Sequence, residues 1–466
     1  MTPAGDGAGP GGATAAAGGY AVCADVGSTW TKVALVGLPD GRLLATAARP
    51  TTAGTDVLRG LDAAVAAATA ALPPGAGTPV PGGWYVCSSA GGGLRLAVVG
   101  YEELVTARAG QRVGLSAGAR VVHVAAGRLD GAGLRAVRAA RPDVLLLVGG
   151  TDGGDAEVLT HNATRLARAR WRTPVVLAGN VDAREELVGL LAGAGVPVTV
   201  ADNVLPRIGV LAPASARAAI RRVFLRHVIG GKGLSRGGRF ASLVRAATPD
   251  AVLSGVELLA DQLGGDLAVV DVGGATTDVY SVLTPDERDS GPGRAAAGTL
   301  WRARTVEGDL GMRWSAPGVV AAAVAERLLG ADEAAGLAAE AAVRAGEPGF
   351  VPVDEAQRST DRRIAALAAT VAVRRHARGD GTGVPARDLR DVRLLIGSGG
   401  VLRHCAPGEA AAVLSTVLTD HAGGWPLPRA AGVVVDGAYV LAAAGLLAAE
   451  HPGAASALLR RHLAGG

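Results

Sequence analysis

The feature that most constrains this chain is an internal echo. The segments AVCADVGSTWTKVALV, beginning at Ala21, and LAVVDVGGATTDVYSV, beginning at Leu267, share one plan. Each has an apolar strand, then Asp-Val-Gly, then a few small or hydroxylated residues, then a second apolar strand. A strand that ends in Asp and turns through glycine lets backbone N–H groups come close to anionic oxygens. One such turn is common and ordinarily structural. Two copies, well over two hundred residues apart and each set between apolar strands, point instead to a paired device. Two hairpins facing each other would clamp a polyphosphate from both sides. Their carboxylates would hold a hydrated Mg²⁺, which keeps several waters and binds through few carboxylates plus substrate phosphates.

The rest of the chain fits an α/β protein of more than one domain. Its 466 residues exceed what a single hydrophobic core usually supports. Apolar β-branched runs bounded by glycine alternate with longer Ala/Leu/Arg segments. Strands are expected at 21–26, 31–36, 84–87, 120–124, 143–148, 174–177, 198–201, 267–272, 277–282 and 393–396. From about Ala119 to Val204 the alternation is even enough to read as a small parallel sheet with crossover helices. The expected organisation is a disordered tail over 1–20, a first lobe over 21–115, an inserted α/β subdomain with its linker over 116–240, and a second lobe over 241–466. Gly230 to Gly238 reads as the linker and Gly346 to Thr360 as a surface loop.

Composition narrows the function classes. The longest apolar stretches, such as Ala438 to Leu447, fall short of the roughly 18 residues a membrane-spanning helix needs. The first twenty residues lack the basic start and compact apolar run of a secretory signal, so a cytoplasmic protein is expected. Cys23, Cys87 and Cys405 are odd in number and far apart, which suits buried reduced thiols better than a disulfide framework or a zinc site. A net charge of +4, with arginine spread along the chain, requires neither nucleic acid nor a membrane surface as partner. The densest basic spot, Arg374, Arg375, His376 and Arg378, reads as a solvated helix end that complements the helix dipole. Lysine occurs only at Lys32 and Lys232, so a lysine kept inside the first hairpin is informative.

The hairpins resemble the phosphate motifs of the actin/Hsp70/sugar-kinase superfamily. DVGSTWTK, from Asp25 to Lys32, is similar to the first of these and DVGGATTDV, from Asp271 to Val279, to the second. LLIGSGGVLR, from Leu394, resembles the adenosine turn, and DGAYVLAAAGLL, from Asp436, the final connecting helix. A small-residue helix over Ala251 to Leu263 stands where the first connecting helix belongs. The likeness narrows to the glutamate mutase accessory family, often called MutL or GlmL and unrelated to mismatch repair. The residues that carry it are DVGSTWTK, LLLVGGTDGGD at Leu145 to Asp155 with Asn162, VEGDLGMR at Val306 to Arg313, RRHAR at Arg374 to Arg378, and the terminal DGAYVLAAAGLL.

This resemblance implies a two-lobed ATPase fold of duplicated ribonuclease H-like domains with an inserted α/β subdomain. It also implies an ATP-binding and ATP-hydrolysing partner, acting in maintenance or reactivation, of an adenosylcobalamin-dependent mutase or aminomutase. The residues alone reach only Mg-ATP binding, hydrolysis and lobes that move about the nucleotide. In that reading Asp25 and Asp271 bind Mg²⁺ through water and position the attacking water, since positioning and electrostatics are most of phosphoryl-transfer catalysis. Gly27, Ser28 and Thr29 in one turn, and Gly273, Gly274, Thr276 and Thr277 in the other, supply phosphate donors. Lys32 places a charge near the terminal phosphate, or snorkels to solvent. Gly397, Ser398, Gly399 and Gly400 form the adenosine turn. Glu307 and Asp309 lie where related proteins approach the ribose, or else sit at a helix N-terminus. Glu257 on the connecting helix is a second, weaker candidate for activating water.

Other matches are weaker. Gly114, Ser116 and Gly118 fit Gly-x-Ser-x-Gly, but a nucleophile elbow needs a strand before and a helix after, and the order here is reversed. Gly231-Lys232 lacks both the first P-loop glycine, replaced by Arg226, and the Ser/Thr, replaced by Gly233. GGTDGGD, at Gly149 to Asp155, is a ligand cradle at a sheet edge or a loop whose Asp155 caps the next helix. Three functions compete with the mutase-partner reading: a small-molecule kinase on the same fold, an iron–sulfur activator of radical dehydratases, and a nucleotide-switched binding module without turnover. A shared cluster needs suitably placed cysteine thiolates, which ranks the activator low.

Overall fold

A computed structural model describes residues 19–90, 94–117, 119–229, 233–284, 302–379 and 386–464. The expected tail up to residue 18, Gly118, and the linker residues 230–232 with Lys232 lie outside the described residues. Two five-stranded sheets carry the echo. The first comprises β1 (Tyr20–Val26), β2 (Trp30–Gly37), β3 (Leu43–Pro50), β4 (Pro79–Ser88) and β10 (Val244–Ala247), in the order β3-β2-β1-β4-β10. The second comprises β11 (Leu267–Val272), β12 (Thr277–Val282), β13 (Arg302–Glu307), β14 (Leu394–Ser398) and β15 (Gly432–Val435), in the order β13-β12-β11-β14-β15. In each sheet the first three strands form an antiparallel meander, and the last two run parallel to the central strand. Order and direction therefore repeat strand for strand. This is a duplicated ribonuclease H-like sheet, and the chain has the two-lobed actin/Hsp70-like ATPase fold.

A third sheet is inserted between β4 and β10. It contains β5 (Arg95–Gly100), β6 (Arg120–Ala126), β7 (Val144–Leu147), β8 (Val175–Leu177) and β9 (Val198–Val200), all parallel, in the order β6-β5-β7-β8-β9. Two expected boundaries shift as a result. β5, assigned to the first lobe by position, pairs with β6 and β7, and its place inside the sheet, flanked on both sides, explains why Leu96 to Val99 are fully buried. β10, assigned to the second lobe, completes the first sheet beside β4. At four residues, with Ala246 and Ala247 at its end, it is too short to show a periodicity.

Strand alternation sorts the side chains into outer and inner faces. Val22, Ala24, Val33 and Leu35 face outward into the core of the first lobe. Val270, Val272 and Val279 face the helix Glu355–Arg378 in the core of the second. The inner faces, carrying Cys23, Ala34 and Cys87 on one side and Val269, Tyr280 and Ile396 on the other, close on two helices between the lobes. These are Thr248–Leu263 and Val440–Leu447. They cross in near backbone contact. A Cβ on Gly255 would lie 2.1 Å from Leu441 O, and one on Gly445 would lie 1.8 Å from Ala251 O. Only glycine at both positions permits this approach.

Two surface expectations are corrected. The loop expected over 346–360 ends early, because the Asp354 carboxylate accepts from Gln357 N and starts the helix Glu355–Arg378. The basic cluster at the far end of that helix is not solvated. Arg374 is 2% exposed and pairs with Asp420 and Glu326, while His376 is fully buried between Ser281 and Thr305 hydroxyls. Burial, then Arg387, holds the His376 pKa well below the usual imidazole value. Arg378 pairs with Glu326.

Candidate functional site

The two echo segments fold as matched hairpins. In the first, Asp25 lies opposite Lys32, Val26 opposite Thr31, and Gly27 N donates to Trp30 O at 3.1 Å. In the second, Asp271 lies opposite Asp278, Val272 opposite Thr277, and Gly273 N donates to Thr276 O at 2.9 Å. Each turn is thus closed by the N–H of the glycine that follows Asp-Val. The alternation that buries the valines on the outer faces turns Asp25, Lys32, Asp271 and Asp278 toward the inner face. There the turns meet: Thr29 Oγ1 lies 3.6 Å from where a side chain on Gly274 would begin.

The electrostatics join the two lobes. Lys32 Nζ is 3.5 Å from Asp25 Oδ2, and its side chain is 24% exposed. Burial pushes the lysine pKa down, but Asp25, Tyr439 and Asp271 together outweigh it and hold the ammonium above its ordinary value. Asp25 also accepts a hydrogen bond from Thr248 Oγ1 at 2.5 Å, with Cys87 Sγ at 3.7 Å from the same oxygen. Asp271 differs. Burial, with Asp278 and Asp25, raises its carboxyl to about 6, against the lowering by Lys32 and Ser398. Asp278 is held by Arg304 at 2.7 Å and accepts from Thr276 Oγ1 at 3.2 Å.

The adenosine-type turn sits beside Asp271. Ser398 is its register partner across β11 and β14. Gly399 has φ +111°, and a Cβ there would lie 2.1 Å from Val272 O, so the turn lies flush on the Asp271 strand. Gly397 faces outward, against Leu402 and Leu414, and its role is packing. Gly400 opens the short helix Gly400–His404, which carries Arg403.

VEGDLGMR buttresses the second turn from behind. Met312 N donates to Gly273 O, and Arg313 N and Trp314 N to Gly274 O, while Ser315 Oγ donates to Ala275 O. The Thr277 hydroxyl is given to Leu310 O, so it is not free to bind phosphate, contrary to expectation. Glu307 and Asp309, expected beside the ribose, are both held by Arg375 at 2.8 Å. Glu307 is the register partner of Thr277 and therefore shares the outer face. Burial raises the Glu307 pKa against that arginine. Glu257 is held between Arg217 at 3.2 Å and Arg302 at 3.4 Å. Asp278, Thr248, Arg403 and Tyr439 join the site without being singled out by sequence; Asp278 has a signal as the echo counterpart of Lys32, and Arg403 and Tyr439 lie within the adenosine-turn and final-helix motifs, whereas Thr248 has none.

The inserted GGTDGGD loop is knitted to itself and its neighbours. Asp152 accepts from Asn203 Nδ2 and Val181 N, Asp182 from Gly153 N, and Asp155 from Glu157 N at the start of the next helix. Cys23 and Cys87 are buried between the lobes, where neither could share a cluster with a second copy, and Cys405 is half-buried. Among the described residues no helix is long and apolar enough to cross a membrane.

Comparison with known proteins places these features. A family model described as MutL protein matches residues 21–463. Protein MutL of Clostridium tetanomorphum is 35% identical over 459 residues, covering 94% of this chain and 98% of that protein. Solved structures overlap more loosely. Nucleotide-free acetone carboxylase is 14% identical, with 92% of this chain and 70% of that chain covered and a TM-score of 0.40. The Acidaminococcus fermentans (R)-2-hydroxyglutaryl-CoA dehydratase component A is 10% identical, with 95% and 96% covered and a TM-score of 0.27. The architecture stands on the sheet topology, not on these overlaps.

Proposed function

We propose, for a chain that belongs to the MutL protein family, that it binds and hydrolyses Mg-ATP between its lobes and uses the cycle to service an adenosylcobalamin-dependent mutase or aminomutase. One observation carries the nucleotide reading. Two hairpins of the same register turn Asp25 and Asp271 to one cleft, with Lys32 within electrostatic reach of both. The mutase partnership rests on the family resemblance.

The donor set fits magnesium. Two carboxylates from opposite lobes, beside turns rich in backbone N–H groups, match an ion that binds through few protein ligands and keeps its waters. Asp25 and Asp271 would hold it through water, and the ion would supply charge neutralisation on the phosphates. Ser28, Thr29 and Gly274 would donate to phosphate oxygens, whereas Gly27 and Gly273, expected among the donors, spend their N–H groups closing the turns, and the Thr276 hydroxyl is given to Asp278. Lys32, kept charged by its acidic neighbours, would place a fixed cation beside them. Ser398, Gly399 and Gly400 would line the nucleoside side.

Asp271 is the better base. A carboxyl with a pKa near 6 is ionised at neutral pH yet basic enough to accept a proton from an attacking water, which matches acid–base strength to working pH. Asp25, bonded by Thr248 and facing Lys32, is fixed as an anchor. Glu257, held by two arginines, does not take that role.

Two experiments test this reading. Asp271→Ala should abolish Mg-dependent ATP turnover; wild-type protein that binds ATP without turnover, even with its partner present, would leave a switch without hydrolysis. A pull-down from the native cell, followed by cobalamin analysis, should recover a cobalamin enzyme in the ATP or the ADP state. Recovery in neither would end the mutase assignment.

A further inference from the structure

Tyr439 opens the second interlobe helix in a conformation that tyrosine rarely adopts. Its φ is +56° and its ψ +39°, in the left-handed region where a Cβ crowds the neighbouring carbonyl. The turn is fixed by buried Asp436, whose carboxylate accepts from Val440 N at 2.8 Å and Leu441 N at 3.0 Å. The strained backbone has one evident result, the position of the ring. Lys32 Nζ lies 4.0 Å from its centroid and Arg403 Cζ lies 4.6 Å from it. Lys32 belongs to the first lobe and Arg403 to the second. One aromatic ring thus engages a cation from each side of the cleft, and a small pocket includes Asp25, Lys32, Arg403 and Tyr439 in its lining.

We infer that Tyr439 is a gate whose ring engages the two cations, Lys32 and Arg403, for which a bound nucleotide would compete. The inference rests on the proposed nucleotide cleft and goes beyond it in assigning the cleft its own occupant. An aromatic face offers a cation only its quadrupole, whereas a polyphosphate offers full charges. A nucleotide therefore outcompetes the ring at Lys32, and its base or ribose takes its place beside Arg403. The backbone stays where Asp436 fixes it, so the exchange moves the ring by side-chain rotation. Before exchange the lobes are joined through the ring; after it they are joined through the ligand.

The test compares Tyr439→Leu, which removes the ring, with Tyr439→Phe, which keeps it. ATP and ADP affinities are measured by calorimetry with Mg²⁺. Tyr439→Phe should bind within about twofold of wild type. Tyr439→Leu should bind about tenfold more tightly, a factor equivalent to roughly 1.4 kcal/mol, and should melt earlier than wild type without nucleotide. Equal or weaker binding by a folded Tyr439→Leu overturns the gate. A second measurement keeps the native ring. Protein labelled with 3-fluorotyrosine gives a Tyr439 resonance, assigned by its loss in Tyr439→Phe, that should move as ATP saturates. An unmoved resonance also overturns the gate. Wild type that takes up no nucleotide brings down the cleft reading itself, whereas wild type that binds while Tyr439→Leu binds no more tightly brings down the gate alone.

Discussion

The two hairpins share register, turn closure and the face they present, and they differ in what stands opposite the aspartate. Asp25 faces Lys32, and Asp271 faces Asp278. The same backbone device therefore carries two electrostatic settings. In the first lobe Asp25 is held by the Lys32 ammonium and the Thr248 hydroxyl. In the second, burial and a neighbouring carboxylate lift the acid to about 6. Duplication supplied two equivalent positions, and their surroundings, burial first at Asp271, made them unequal.

Breaking the second hairpin should have the largest effect. Asp271→Asn should lower ATP turnover by about a hundredfold or more, the range general-base catalysis contributes, with Mg-ATP affinity changed far less. Asp25→Asn should instead weaken binding, and identical profiles for the two variants would erase the asymmetry. Stability should separate them as well. Because the folded pKa of Asp271 is raised, the native state holds a proton that the unfolded chain has released between about pH 4 and 6, so stability falls as pH rises through that window. Urea titrations should therefore find Asp271→Asn more stable than wild type at pH 7.5, with the gap closing toward pH 4.

The pH profile sharpens the comparison further. Wild-type turnover should rise through a limb near pH 6. Lys32 lowers the Asp271 pKa and Asp278 raises it. Lys32→Met should move the limb up by about one unit, a modest opposite-charge shift, and Asp278→Asn should move it down. A limb that ignores both substitutions would show that another group titrates.

The interlobe helices come next. Gly445→Ala places a methyl where Ala251 O already lies, and should destabilise the fold by about 1–3 kcal/mol in urea denaturation, as overpacking does. The smallest effect belongs to Glu307. With its carboxylate on the outer face and engaged by Arg375, Glu307→Gln should leave the KM for ATP within about twofold; a larger change would return it to the cleft.

The sequence displayed the fold through local patterns and concealed what depends on pairing. Both hairpins, the adenosine-type turn and the connecting helices are contiguous motifs, and their order was enough to expect two lobes around an insert. β3 and β13 were missed because LLATAARP and RARTVE do not read as apolar runs, being edge strands of their sheets. Glu307 was misplaced because the face a strand residue occupies follows from register, and one residue of offset reverses it. Thr248 and Tyr439 reach the site only through tertiary contacts with Asp25 and Lys32, each across hundreds of positions. The RRHAR cluster looked solvated because its partners, Asp420, Glu326, Ser281, Glu307 and Asp309, lie on other elements.

The central claim is that one nucleotide is held by both hairpins at once, and amide hydrogen exchange with and without Mg-ATP tests it most directly. Saturating nucleotide should slow exchange together in the peptides spanning Asp25–Lys32 and Asp271–Asp278, with the same dependence on ATP concentration. Protection confined to one hairpin, or absent from both while ATP is bound, would contradict the account.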